Sequence, residues 1–378
     1  MDKRPADAAG LICKDEERAN PKLVGAWNRR YLFLPVALIP LLILLLSPAN
    51  QNDISQRFSQ TVSKLSEQDQ ARINESISKQ ETTLEDVVMA LPGHRIEDAH
   101  LSRDSWRHWL YAAMAAGVFF LFLILVFPSS TATPQHLLMV GLFTGTIGIL
   151  LLLGFQVAAA VTQGLWLRGA NIVTVLFYVV KFIGYSYNAA LDPNNGFLLS
   201  SIGFICGVGF CEEVCKMLPL VRHFRSEVTL DWRGAYLWGL ASGVGFGISE
   251  GITYASNYYN GIQTAEVYAV RFISCVALHA IWSGAAAIML FDRQHLVKGR
   301  IEGAAGILEF LLYLLTIVAV PMVLHGFYDT LLKKEMNDLA FFVAVASFGW
   351  MAFQVERLRR VELQPQRLPT VAGVSIGR

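Results

Sequence analysis

Long apolar runs alternate with short polar breaks along most of this chain. A helix that crosses a bilayer needs about 20 predominantly apolar residues. Roughly nine segments approach that length: Tyr31–Ser47, Trp109–Phe127, Leu137–Val161, Asn171–Ala190, Phe197–Leu220, Ala235–Tyr254, Val267–Phe291, Leu308–Leu332 and Leu339–Gln354. The pattern predicts an all-α, polytopic transmembrane helical bundle of about nine spans. It divides the chain into a polar tail (1–30), an N-terminal membrane anchor (31–49), a soluble helical segment (50–107), accessory transmembrane helices (108–196), a transmembrane core rich in ionisable residues (197–332), and a final helix with a basic tail (333–378).

Within the soluble segment the apolar positions recur at helical spacing: Ile54, Phe58, Val62 and Leu65, then Ile73 and Ile77, then Leu84, Val88 and Leu91. Short amphipathic helices ending at Leu91-Pro92-Gly93 are expected. Arg29-Arg30 before Tyr31 and Ser47-Pro48-Ala49 after it weakly mimic a signal peptide, but the apolar run starts too far in, so a retained anchor is expected.

Composition supports the membrane reading. The 378 residues are 54% apolar and 16% charged, and the net charge of +1 gives no basic surface for nucleic acid. Five cysteines, at 13, 206, 211, 215 and 275, form no CxxC pair, so neither a disulfide framework nor a zinc finger is indicated. Basic residues follow the fifth span (Arg222, Arg225, Arg233), the seventh (Arg293, Lys298, Arg300) and the ninth (Arg357, Arg359, Arg360). Nine alternating spans put all three groups on one side, the cytoplasmic one by the positive-inside rule. The same parity puts the N-terminus outside, against the vote of Arg29-Arg30.

Charge inside the spans changes the picture more. An ionised group at the bilayer centre costs about 2.5–3.5 kcal/mol on insertion scales. Glu212, Glu213 and Lys216 nevertheless share one span, where Glu212 and Lys216 lie on one face with Glu213 beside both. The next span holds Glu250 beside a Gly239, Gly243, Gly247, Gly251 stripe suited to close helix packing. Arg271, Cys275, His279 and Ser283 follow at four-residue spacing, and His325 and Asp329 lie one turn apart near the end of the eighth span. Four helices thus offer ionisable groups to one interior. This inventory suits activation of a water for attack on a carbonyl, or a metal site.

These motifs resemble the PrsW family of intramembrane proteases. Glu212-Glu213-Val-Cys-Lys216 is similar to the family's EExxK motif, Phe246-Gly-Ile-Ser-Glu250 to its FxxxE motif, and His325-Gly-Phe-Tyr-Asp329 to its HxxxD motif. His279 falls where a third-motif histidine is expected. The related type II CAAX prenyl endopeptidases carry EExxxR and FxxxH, from which Lys216 and Glu250 depart. The resemblance covers roughly residues 197–332. It implies an intramembrane endopeptidase of the bacterial cytoplasmic membrane acting on a membrane-anchored protein, with an anti-sigma factor as the best-known substrate type.

The resulting expectation gives each residue a role. Glu212 is the candidate base, with Glu213 and Lys216 as its supporting pair. His279 and His325 position the water, bind metal or stabilise the oxyanion. Asp329 orients His325, and Glu250 is a second acid/base or a ligand. Glu212, His279 and His325 are the candidate metal ligands, with zinc as the candidate ion and a metal-free, glutamate-activated water as the competing scheme. A proton- or divalent-cation-coupled transporter and a catalytically inactive scaffold are the alternatives.

Overall fold

The computed structural model describes residues 38–46, 51–78, 83–126, 129, 131–226, 230–256, 261–298 and 301–363. The polar tail, the cleavage-like Ser47-Pro48-Ala49, residues 31–37 of the first apolar segment, and Cys13 and Arg300 lie outside them. Every regular element among the described residues is helical. Three short helices, α1 (Gln51–Ser63), α2 (Glu67–Ser78) and α3 (Leu84–Ala90), form a cap. The longer helices are α4 (Arg107–Val126), α5 (Pro134–Gln163), α6 (Ile172–Leu191), α7 (Phe197–Phe224), α8 (Trp232–Tyr254), α9 (Ala265–Asp292), α10 (Gly303–Lys333) and α11 (Asn337–Leu363).

Local chemistry sets the helix starts. Thr83 and Asp86 close a capping box on α3, and the Thr83 hydroxyl holds the Asp86 carboxyl below its ordinary pKa. Thr133 caps α5 with Pro134 in its first turn, Asn171 caps α6, and Asp231 caps α8. In the cap, Ile54, Phe58, Val62 and Leu65 pack on a small core of Ile73, Val87, Val88, Leu91, Ile96 and Ile262. Ile262 lies in the connection between α8 and α9. The cap docks there through Ile96 N–H to Gly261 O (2.8 Å) and His100 N–H to Gln263 O (3.0 Å).

Among the described residues, seven helices are long and apolar enough to cross a membrane: all the long ones except α8. The expectation of nine spans is therefore met only in its coarser form, a helical multi-pass bundle. α8 is present at the expected place but is rich in glycine and carries Arg233 and Glu250. It does not need an apolar surface, because protein surrounds it. Its glycines meet α9 on one side and α5 on the other: a Cβ at Gly243 would lie 2.1 Å from the His279 carbonyl oxygen, and one at Gly245 2.0 Å from that of Gly141.

This contact makes a direct prediction. Gly243→Ala forces α8 off α9 and should lower stability by about 1–3 kcal/mol, as overpacking does. Gly154→Ala, on a face where an added Cβ meets nothing within 4 Å, should be neutral. Thermal unfolding in detergent distinguishes the two, and equal melting temperatures would remove the close-approach argument.

The parity argument requires correction. α5 and α6 run parallel, not antiparallel. Asn188 Nδ2 donates to Gln163 Oε1 (3.0 Å), and a Cβ at Gly184 would lie 2.8 Å from Ala159 O, so both residue numbers rise together. The segment Gly164–Asn171 carries the chain back in a non-helical conformation. Its carbonyls are satisfied by side chains of α6: Lys181 Nζ donates to Leu165 O (2.6 Å) and Tyr178 Oη to Leu167 O (3.0 Å). The Lys181 ammonium also lies 3.9 Å from the centre of the exposed Trp166 ring.

The basic residues gather at one end of the bundle. There Thr131 Oγ1 donates to Asp231 (2.6 Å), Arg225 to Val297 O (2.9 Å), Arg233 pairs with Glu362, and Arg357 with Asp292. The cap occupies the opposite end, together with the contact of Lys334 Nζ to Asn195 O (2.5 Å).

Candidate active site

The first turns after the π-helical stretch Phe204–Gly209 in α7 place Glu212, Glu213 and Lys216 against α8, α9 and α10. Gly209 allows the approach of α10, since a Cβ there would lie 2.7 Å from Met322 O. Lys216 and Glu213 are fully buried, and Glu212 is 5% exposed. Isolated charges at such a position are unfavourable unless paired, and pairing is what the structure shows.

Lys216 Nζ donates to Glu213 Oε1 (2.7 Å) and to His279 Nδ1 (2.7 Å), and lies 3.5 Å from Glu212 Oε2. Its ammonium also stands over the Phe246 ring at 4.6 Å. Ser242 Oγ on α8 donates to the Lys216 carbonyl (2.6 Å), tying the two helices together. Glu213 Oε1 is shared, because His325 Nδ1 reaches it at 2.9 Å.

Donor and acceptor rules then fix the imidazoles. An ammonium only donates, so His279 Nδ1 accepts and its Nε2 carries the proton. That Nε2 lies 2.6 Å from Glu250 Oε2, and Arg271 Nη2 lies 2.5 Å from the other oxygen of Glu250. His325 donates from Nδ1 to the Glu213 carboxylate, and its Nε2, which carries a lone pair in the neutral ring and a proton in the imidazolium, faces Glu212 Oε2 (3.7 Å) and Asp329 Oδ2 (3.4 Å). Two carboxylate oxygens and this nitrogen therefore converge, and Glu212 Oε2 is buried without a hydrogen-bond partner among the described residues. Such a set calls for something electropositive between its members: a proton, a water or a cation.

All seven residues singled out from the sequence come together in this cluster. Two carboxylates flank His325: Asp329, expected to orient it, faces Nε2, while Glu213 takes Nδ1. A carboxylate on the remote nitrogen, fixing the tautomer of an imidazole whose other nitrogen works, is a recurring arrangement in metal and acid–base sites. The side chains of Glu250 and Asp329 are 14% and 24% exposed, so the cluster opens toward them.

Sequence reasoning missed two neighbours. Arg271 was visible in the α9 stripe, but its pairing with Glu250 was not. Trp282 stacks on His325 with ring centres 4.2 Å apart and planes at 17°, and its Nε1 donates to Ser347 Oγ (2.9 Å). One tryptophan among eight carries no spacing signal that marks it.

One ligand atom each of Glu212, His279 and His325 lies within 4.8 Å of the others. In composition this N/O set is one that zinc takes in hydrolytic sites. Glu212 Oε2 and His325 Nε2 present free lone pairs to it. His279 is engaged at both nitrogens, so it joins such a set once Lys216 or Glu250 releases it.

A family model described as PrsW family intramembrane metalloprotease matches residues 158–354, which include all seven cluster residues. No curated protein and no solved structure matches the chain.

Proposed function

The chain belongs to the PrsW family of intramembrane metalloproteases, and from that premise we propose that the buried Glu/His cluster hydrolyses a peptide bond in a membrane-anchored protein. The observation that carries the reading is the convergence of Glu212 Oε2, His325 Nε2 and Asp329 Oδ2 at the open side of an otherwise sealed ion-pair network. A water held among these atoms can donate to two of them and lose a proton to one carboxylate.

Glu213 and Lys216 are positioning groups in this scheme: they fix His325 and His279 and are too buried to reach substrate. Glu250, braced by Arg271, keeps the proton of His279 on Nε2, and the proton taken from water by the base is the one returned to the leaving amine. A divalent ion held by Glu212, His279 and His325 would polarise the scissile carbonyl and acidify a water. In that case Glu212 serves as ligand and the proton passes to Asp329, the more exposed carboxylate. Without an ion, Glu212 is the base. Glu212 is essential in both.

The basic end of the bundle suits the cytoplasmic face, which puts the cap on the opposite side. The expected setting is a bacterial cytoplasmic membrane, with a single-span protein of anti-sigma-factor type as substrate. A transporter has less support, because the ionisable groups form one cluster and not a series along a path.

Reconstitution tests the reading. Liposomes carrying the full chain and a single-span reporter should release a new fragment, and 1,10-phenanthroline should stop it, with zinc restoring it. Cleavage indifferent to the chelator would assign the water to carboxylates alone. Proton or cation flux with no cleavage of any reporter would replace the protease by the transporter.

A further inference from the structure

A second feature lies away from the ion-pair cluster, and none of the seven cluster residues lines it. It is a cavity of about 620 Å³ bounded by α4, α8, α9 and the turn at Ile39-Pro40. Its walls are apolar along most of their extent, with Val118 and Phe119 of α4 facing Leu240, Val244 and Ala277 of α8 and α9.

The polar groups sit together at the cap end. His100 Nε2 lies 2.6 Å from Tyr111 Oη, and the Tyr268 ring stands 5.8 Å from the His100 ring and 6.3 Å from the Tyr111 ring. Tyr268 is only 3% exposed, yet its Oη has no hydrogen-bond partner among the described residues. A buried hydroxyl without a partner is destabilising, and Tyr268 belongs to the cavity wall, so a ligand with an acceptor at that end would satisfy it. The rim is reachable from the side, since Val118 is 67% exposed and Ile39 58%.

Size and polarity select the occupant. An α-helix with side chains is about 10–12 Å across and rises 5.4 Å per turn, so the cavity holds little more than one turn, and a substrate span of about 20 residues does not fit. An unbranched hydrocarbon chain does. Polarity at the interfacial end and apolar walls toward the bilayer interior match a lipid lying along its natural axis, with tyrosines at headgroup depth.

We propose that the cavity binds one acyl chain of a membrane glycerolipid, whose ester carbonyl accepts the hydrogen bond of Tyr268 Oη. The site has a structural tie to the cluster. Phe272 and Ile273 of the π-helical stretch Val270–Cys275 form part of the cavity wall, and Arg271, immediately before them, holds Glu250. A bound chain braces that stretch.

The test reads binding and does not depend on whether the protein cleaves anything. The full chain in detergent is irradiated with a phosphatidylethanolamine carrying a diazirine on one palmitoyl chain, and adducts are mapped by peptide mass spectrometry. Adducts are expected around Met114–Val118 and Phe272–Ile273. Ala115→Trp, which fills the cavity from α4, should lower them by at least about tenfold while leaving adducts on the exposed Leu150–Leu153 face of α5 unchanged. Those outer adducts and the melting temperature report whether the variant has folded.

Tyr268→Phe keeps the shape and serves as the second variant. The native chain should prefer the ester lipid over its ether-linked analogue, and Tyr268→Phe should treat them alike. Cavity adducts that survive Ala115→Trp in the folded protein, or an ester preference unchanged in Tyr268→Phe, would overturn the proposal. So would labelling by free diazirine-palmitate in place of the glycerolipid, or by the span of a reporter protein.

Discussion

Lys216→Met should leave the protein unable to hold its native core. The side chain is fully buried and makes three polar contacts, to Glu213, Glu212 and His279. Methionine matches its length but supplies no charge. Two buried carboxylates then share a site without the ammonium that lay between them. Breaking a buried pair by removing one partner costs about 3–5 kcal/mol, because the remaining charge is uncompensated. A double variant separates charge from packing. Glu213→Gln added to Lys216→Met removes the stranded carboxylate and should recover much of the lost stability, since replacing both members of a buried pair is often near neutral. It should not recover cleavage, because His325 and His279 lose the partners that set their tautomers. Thermal unfolding of the three variants in detergent measures the coupling. A Lys216→Met protein that melts with the native one would show that the network contributes nothing to stability.

Much of this site is legible in the sequence because helical spacing carries it. The i, i+3 and i, i+4 relations within Glu212–Lys216 and His325–Asp329 hold in the structure, and charge in apolar runs marks the four helices that bear it. Contacts between helices are another matter. Glu213 Oε1 bridges Lys216 and His325, a pairing across more than a hundred positions, and nothing in the spacing favours Glu213 over Asp329 as the partner of Nδ1. Among the described residues, α8 drops out of the span count for a related reason. Hydropathy reports the solvent a helix faces, and α8 faces other helices through glycine, so its composition is a packing signal. Hydropathy is equally silent about direction. α5 and α6 can run parallel because Lys181 and Tyr178 satisfy the carbonyls of the returning segment, a side-chain device that no run of apolar residues reveals.

Glu212→Gln should have the opposite signature from the change at Lys216: a loss of cleavage by a factor of about 10²–10⁴, the usual contribution of a positioned acid–base group, with little loss of stability. The two neighbouring glutamates differ in what holds them. Glu213 has two partners at hydrogen-bond distance, whereas Glu212 Oε2 has none among the described residues and lies 3.5 Å from Lys216 and 3.7 Å from His325. A glutamine at 212 keeps the shape and takes one negative charge out of a crowded acidic cluster, so the melting temperature should stay level or rise. Activity should vanish whether Glu212 takes the proton of water or ligates an ion, since an amide does neither well. Glu213→Gln makes the comparison sharp: it should lower the melting temperature as well as the rate. Cleavage of the reporter and thermal unfolding, measured on both variants, decide the assignment. If Glu212→Gln cleaves at the native rate while Glu213→Gln melts normally but is inactive, the working carboxylate is Glu213, and the free lone pair on Glu212 is incidental to the chemistry.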